Sequence, residues 1–358
     1  MFTSRSSSGN RKGIQRILFS PVLITTLFFS EPIKAQGLQG KADAFFLSDT
    51  VLEVILETDL HQLSHERKKE KYQAAYCKIN WGDGTVTFDT LAIKPRGYNR
   101  MEQCVFPPIT LNFKKSKDSA LRSLETLKLV IPCSRGVVSE QLVFREYLVY
   151  KMYNLLTEKS FRSRLVRFQL TDPSGRTKAY TGHAFFLEDE NKMAGRNKCY
   201  SQKRAYKPEQ LDKQQLAFMY LFQYMIGNTD FTVEVNKNIK TIKSFQDASL
   251  PPYVVPYDFD YSGMVHAGYS MPHPDYQDKI RTVMDRLYLG PAIERKMLDT
   301  LLLLFEKSER MLFSLIDDFP LLNEHSKKEM SLFLKEFYKD IRQPNRIRET
   351  FLTGSIYR

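Results

Sequence analysis

Residues 139–156, SEQLVFREYLVYKMYNLL, mark the point where the apolar pattern of this chain changes period. Phe144, Tyr147, Leu148, Met152 and Leu155 recur at the three- and four-residue spacing of one helical face, and Ser139-Glu140 suits the first turn. Before this stretch, from residue 44 to 130, apolar residues come in short runs. Residues 51–57 (VLEVILE), 85–93, 109–113 and 127–131 read as strands, with Trp81-Gly82-Asp83-Gly84 as a hairpin turn. After it, residues 165–170 and 180–187 form a second hairpin around Asp172-Pro173-Ser174-Gly175. From Pro208 onward the helical period dominates, over residues 211–226, 291–319 and 327–341. The first two of these helices are separated by a region rich in Gly, Asn, Asp and Pro, residues 227–275. The aromatic run from 218 to 224 reads as a core-facing helix face.

This order predicts an α+β chain with the layout of a two-lobed protein-kinase-like fold. A β-rich N-terminal lobe with one long helix would span residues 36–190, and a helical C-terminal lobe residues 191–358.

The ends and the composition point to export. Arg5, Arg11, Lys12 and Arg16 precede an uncharged, mostly apolar run, ILFSPVLITTLFFS, at residues 17–30. The run is too short to span a bilayer and Pro21 interrupts it, so residues 1–35 read as a secretory signal cleaved after Ala35, leaving no stable membrane span. Cleavage would take five bases and one acid from 53 and 41, leaving 48 against 40, a net charge of about +8. Those bases are scattered. No Lys/Arg run reads as a nucleic-acid arm, Arg67-Lys68-Lys69 with Lys71 being a solvated loop, so nucleic acid is not expected as a partner. Cys77, Cys104, Cys133 and Cys199 all lie in the mature region, where an oxidising compartment lets cysteines pair. Four cysteines allow three connectivities. Cys104 and Cys133, both beside strands of one lobe, are the preferred pair.

Acids and amides concentrate in two segments of the loop region, residues 227–263. Gly227-Asn228-Thr229-Asp230 follows an apolar helix and leads to Asn236 and Asn238, while Pro256-Tyr257-Asp258-Phe259-Asp260 follows a strand-like run. On extended backbone Asp258 and Asp260 would project to one face about 6–7 Å apart and repel by about 2–3 kcal/mol at an effective dielectric near 20. A divalent cation, Mg²⁺ or Mn²⁺, would relieve that repulsion, with Asn238 or Asn236 as an amide ligand. Phosphoryl transfer uses such a set: Asp230 to orient the attacking hydroxyl, Asn238, Asp258 and Asp260 for metal, and a lysine on the phosphates of ATP. Lys128, in the strand-like LKLV, is the natural lysine, and Glu146 on the long helix its expected ion-pair partner. Glu188, in Glu188-Asp189-Glu190 at the connector between lobes, is the expected adenine-side contact. Taken alone, each of these acids is also an ordinary turn, cap or surface group.

KLV at 128–130, REYLVYKMYNLLT, SFRSRLVRF, FFLED, GNTDF, NIK and VPYDFDYSG resemble a family of largely uncharacterised exported bacterial proteins. That family is more distantly similar to the spore-coat CotH-type atypical protein kinases. Arg96-Gly97 and Cys104-Val105-Phe106-Pro107-Pro108 also fit its β-lobe pattern. The resemblance implies that Asp230 stands where CotH-type kinases place the catalytic Asp and Asp258 where they place the metal-binding Asp, with Asp260 beside it. Arg96 joins Lys128, Glu146 and Glu188 as cofactor-binding.

The chain departs from kinase motifs in having no G-x-G-x-x-G loop and no His-Arg-Asp, and in placing Asn236 and Asn238 six and eight residues past Asp230 rather than five. The six histidines show no ligand spacing and no Ser/His/Asp order emerges, which argues against a metallohydrolase or serine hydrolase. The sequence therefore leads to two expectations. One is metal-dependent phosphoryl transfer from ATP to an exported protein or other extracytoplasmic acceptor, in the periplasm or medium. The other is a catalytically inert, pseudokinase-like binding module of the cell envelope.

Overall fold

The computed structural model describes residues 44–69 and 71–354; the expected export signal, residues 1–35, lies outside them. Seven strands form a closed barrel: β1 (Leu52–Glu57), β2 (Gln73–Asn80), β3 (Val86–Pro95), β4 (Ile109–Asn112), β5 (Thr126–Val130), β6 (Ser163–Thr171) and β7 (Tyr180–Leu187). Around the barrel the order is β1-β2-β3-β4-β5-β7-β6. Alternation builds it. In β1, Leu52, Val54 and Leu56 point inward and Glu53 and Glu57 outward, the period-2 pattern of a strand with one wet face. Turn chemistry sets the β2–β3 register: Gly82 and Gly84 take φ of 82° and 90°, and Asn80 and Asp83 accept from the Gly82 and Thr85 amides at 3.1 and 2.8 Å. The closing contact is parallel, β6 against β1, with Leu52 opposite Val166 and Glu57 opposite Thr171.

Four longer helices accompany the barrel: α1 (Val137–Leu156), α2 (Lys213–Ile226), α3 (Arg295–Asp317) and α4 (Glu324–Ile341). A small sheet of β8 (Cys199–Gln202), β9 (Ile239–Ser244) and β10 (Tyr253–Pro256) has the order β10-β9-β8.

The two-lobed protein-kinase-like fold expected from the element order is not what the chain adopts. Hairpin signals in the sequence are local, whereas the parallel β1–β6 pairing joins strands more than 100 residues apart and closes the sheet on itself. The long helix is also not a component of a β lobe. Thirteen of the 20 residues of α1 are buried, a pattern that places a helix between layers rather than on a surface. Val143 to Leu156 share one core with α2, α3 and α4, while the barrel interior forms another. Arg145, buried on α1, donates to the Val265 carbonyl at 3.3 Å and to Ser326 Oγ at 3.0 Å, and pairs with Glu329 on α4. Cys104 and Cys133 are disulfide-bonded, their Cα atoms 4.4 Å apart, and Cys77 and Cys199 are buried free thiols. Among the described residues, no helix is long and apolar enough to cross a membrane.

Candidate functional site

The two acid-rich loops meet because backbone close approaches and sheet register bring them together. Helix α2 starts on an Asp212 cap, whose carboxylate accepts from the Gln215 amide at 2.8 Å, and ends at Gly227 with φ 64°. The Gly263 amide donates to the Gly227 carbonyl at 3.1 Å, and Met264 N to Ile226 O at 3.0 Å. Phe333 of α4 lies against both glycines: a Cβ at Gly227 or Gly263 would stand 2.7 or 2.6 Å from its Cζ. Only glycine permits this stack. At the other end, the β9–β10 ladder pairs Ile239 with Pro256, and Tyr257 N donates to the Asn238 carbonyl at 3.1 Å. Asn238 thus precedes β9 beside Tyr257, and Asp258 follows β10.

The loop after Asp230 folds back on itself. Thr232 and Lys237 exchange backbone hydrogen bonds of 3.0 and 2.9 Å, which returns the chain to Asp230 eight residues later. Asn238 Nδ2 then donates to the Asp230 carbonyl at 2.7 Å and to Asp230 Oδ2 at 2.9 Å. Lys237 Nζ lies 2.5 Å from Asp230 Oδ1. Of the two amides offered by the sequence, Asn238 is the one at the site; Asn236 turns its amide to the Lys203 carbonyl at 3.4 Å. Asp258 is not on extended backbone as expected. Its φ is 64°, and Asn238 has φ 52°, left-handed values that cost non-glycine residues energy and cluster at functional sites. Tyr150 of α1 pins the turn, its hydroxyl accepting from the Asp258 amide at 2.8 Å.

Despite that turn the two carboxylates remain neighbours. Burial, then the charge of Asp258, pushes Asp260 up to about 7, and Tyr269 donates to it at 2.9 Å. Burial first and Asp260 second hold Glu146 well above the usual carboxylate range. Glu146 is one turn from Tyr150 on α1, so both face the same loop. The ion pair expected between Glu146 and Lys128 is not formed: the partner of Glu146 is Arg100, at 4.0 Å. Lys128 Nζ sits instead 4.7 Å from the Tyr257 ring centre. Burial, then Arg96 and Lys240, pull Lys128 down to about 7, while Asp258 opposes them. Lys240 is paired with Glu190 at 2.9 Å. Glu188, the residue after the register partner of Lys128, has both oxygens engaged, accepting from the Arg162 amide at 3.0 Å and from Arg196 at 3.0 and 3.2 Å.

Asp258 is the common member of this group: it acts on Asp260, Glu146 and Lys128, while Asp230 acts on Asp260, Arg96 on both Glu146 and Lys128, and Asn238 bonds Asp230. Sequence reasoning missed Arg100, Lys237, Tyr150 and Tyr269. For Tyr150 a signal existed, its i, i+4 spacing from Glu146, and for Lys237 its place between Asn236 and Asn238; Arg100 and Tyr269 come from segments without a motif.

The donor set suits a hard cation. Asp258 and Asp260 supply carboxylate oxygens, and Asn238, whose Nδ2 is committed to Asp230, has its amide oxygen left to offer. No three His, Cys, Asp or Glu side chains among the described residues are grouped to hold a metal unaided. Two carboxylates with open positions are what Mg²⁺ takes when phosphate oxygens complete its shell. Arg100 Nε, buried without a hydrogen-bond partner, adds an unused donor beside these acids. No protein-family model matches the chain, and no curated protein matches it in sequence.

Proposed function

We propose that this chain carries out metal-dependent phosphoryl transfer from ATP to a protein or other acceptor outside the cytoplasm. The observation that carries the reading is the convergence of Asp230, Asn238, Asp258 and Asp260 opposite Lys128 and Arg96, from a strand, a barrel connection and two loops. It rests on the site and not on a fold class. A bound Mg²⁺ or Mn²⁺ would neutralise phosphate charge and orient the transferred group. Asn238, Asp258 and Asp260 would hold it. Lys128 and Arg96 would meet the phosphates, and Tyr257, beneath Lys128, would fix the ammonium. Asp230, paired with Lys237 and oriented by Asn238, would accept a hydrogen bond from the attacking hydroxyl. Export is part of the proposal, supported by the Cys104–Cys133 bridge, a feature of oxidising compartments. Protein recovered from the cell envelope or medium is expected to begin at Gln36; an intact Met1 on a cytosolic protein would contradict it.

A second reading, a catalytically inert binding module, draws on the engagement of Asp230 at both oxygens by Lys237 and Asn238. Turnover separates the two readings, and nucleotide binding tests the site itself. Calorimetric titration with ATP in Mg²⁺ should give saturable binding that EDTA removes. No heat in either condition would overturn the assignment of a nucleotide site.

A further inference from the structure

The disulfide lies at the edge of the candidate site. The connection from β3 to β4 carries Arg96 and, on the short helix Tyr98–Gln103, Arg100. Its ends are joined by Arg96 N donating to the Pro108 carbonyl at 2.9 Å. Cys104 closes that helix, its amide donating to the Arg100 carbonyl at 3.1 Å, and Val105 N donates to the Cys133 carbonyl at 2.8 Å. Cys133 lies three residues past the end of β5, the strand of Lys128. Arg100 reaches across this junction to the Ile131 carbonyl and to Glu146 at 4.0 Å. Asp258, Asp260 and Tyr269 are its electrostatic neighbours.

We propose that the Cys104–Cys133 disulfide is a redox lock on the candidate site, with Arg100 as the positioning residue through which it acts. Oxidised, the bridge holds the Arg100 segment against β5 and α1, so that one guanidinium faces Glu146 and the Asp258–Asp260 loop. Reduced, the segment stays tethered at its other side by Arg67, whose Nη1 donates to the Met101 and Cys104 carbonyls at 2.7 and 2.8 Å. The chain then remains folded while Arg100 loses its fixed position and the acids their counter-charge. Access is through Cys133, which is half-buried and lines a cavity of about 500 Å³ with Gln103, Arg135, Gly136 and Tyr269; Cys104 is 3% exposed. The reductant is a dithiol. Its thiolate attacks the Cys133 sulfur, forming a mixed disulfide and releasing Cys104, and its second thiol then displaces Cys133. Two electrons and two protons pass to the cysteines and the dithiol leaves as a cyclic disulfide.

The inference rests on reading the cleft as a Mg-ATP site, and the test separates the two ideas. Mg-ATP affinity is measured on the full chain before and after treatment with a dithiol, with bridge opening confirmed by thiol labelling and folding by circular dichroism. Affinity should fall about tenfold or more with the fold intact, and return on reoxidation. Arg100→Met should bind weakly in both states and show no redox response, whereas Arg100→Lys should restore part of both. Cys77→Ser/Cys199→Ser, which leaves the bridge, should respond like the unaltered chain. Unchanged affinity after confirmed reduction would overturn the lock, as would global unfolding. If Mg-ATP binds in neither state, the functional reading fails and amide exchange decides the lock: reduction should speed exchange in residues 96–108 and 258–269 together. Faster exchange in the first segment alone, or in neither, would overturn it.

Discussion

In the barrel each strand is specified by its own residues, whereas in residues 213–263 geometry comes from contacts between distant ones. Strand β1 alternates Leu52, Val54 and Leu56 against Glu53 and Glu57, and a change there is felt as lost burial. The site loops are placed by Gly227 and Gly263, which have no side chain to bury, stacked on the buried Phe333 ring. Stability and site geometry are thus carried by different parts of the molecule and can be altered separately.

The largest effect is expected in the barrel. Leu56→Ala, at a position 0% exposed, should lower unfolding free energy by about 2–5 kcal/mol in denaturant melts, while the folded fraction keeps its affinity for Mg-ATP. Gly263→Ala reverses the balance. Its Cβ would collide with the Val283 carbonyl oxygen and press on Phe333, at a cost of about 1–3 kcal/mol, but nucleotide binding should be lost, because the Gly227–Gly263 contact spreads. Binding retained in Gly263→Ala would remove the distinction between the two regions.

A third effect concerns pH. Asp260 has an ordinary value of 3.8 and is pushed up to about 7, first by burial and then by Asp258. Between those values the folded chain holds a proton that the unfolded chain has released. This group's stabilisation is therefore fully present below about pH 4, declines as pH rises to 7, and stays at its lower level above. Thermal melts of Asp260→Asn against the parent chain should show an advantage for the variant that grows from pH 4 to 7. An advantage independent of pH would contradict the upward displacement of Asp260. The smallest effect should come from Asp212→Ala, which removes the α2 cap at a cost of about 1 kcal/mol with binding unchanged.

Legibility in the sequence follows the same division. Period-2 runs and turn residues located β1, β3, β4, β5 and the β6–β7 hairpin, and the 3.6 period located α1 to α4, because each of these signals is local. Barrel closure was not legible, since nothing in residues 52–57 names residues 166–171 as a parallel partner. β8 (CYSQ) and β9 (IKTIKS) were missed because neither alternates apolar and polar residues. At the site, Asp230, Asn238, Asp258 and Asp260 were legible as acids and amides concentrated in a Gly- and Asn-rich region. The partner of Glu146 was not, because Arg100 sits on a short helix outside any motif, 46 residues before Glu146 in the chain. Glu188 looked like a connector acid because sequence does not show that Arg196, eight residues on, folds back onto it.

In the proposed site one cleft divides metal capture from nucleophile orientation between two loops. The most direct test measures Mg-ATP binding and phosphate transfer from γ-labelled ATP to an envelope protein fraction, side by side, for the parent chain, Asp258→Ala and Asp230→Ala. The expected result is that Asp258→Ala loses binding and transfer together, while Asp230→Ala binds Mg-ATP like the parent and transfers nothing. Equal binding and equal turnover in all three chains would contradict it.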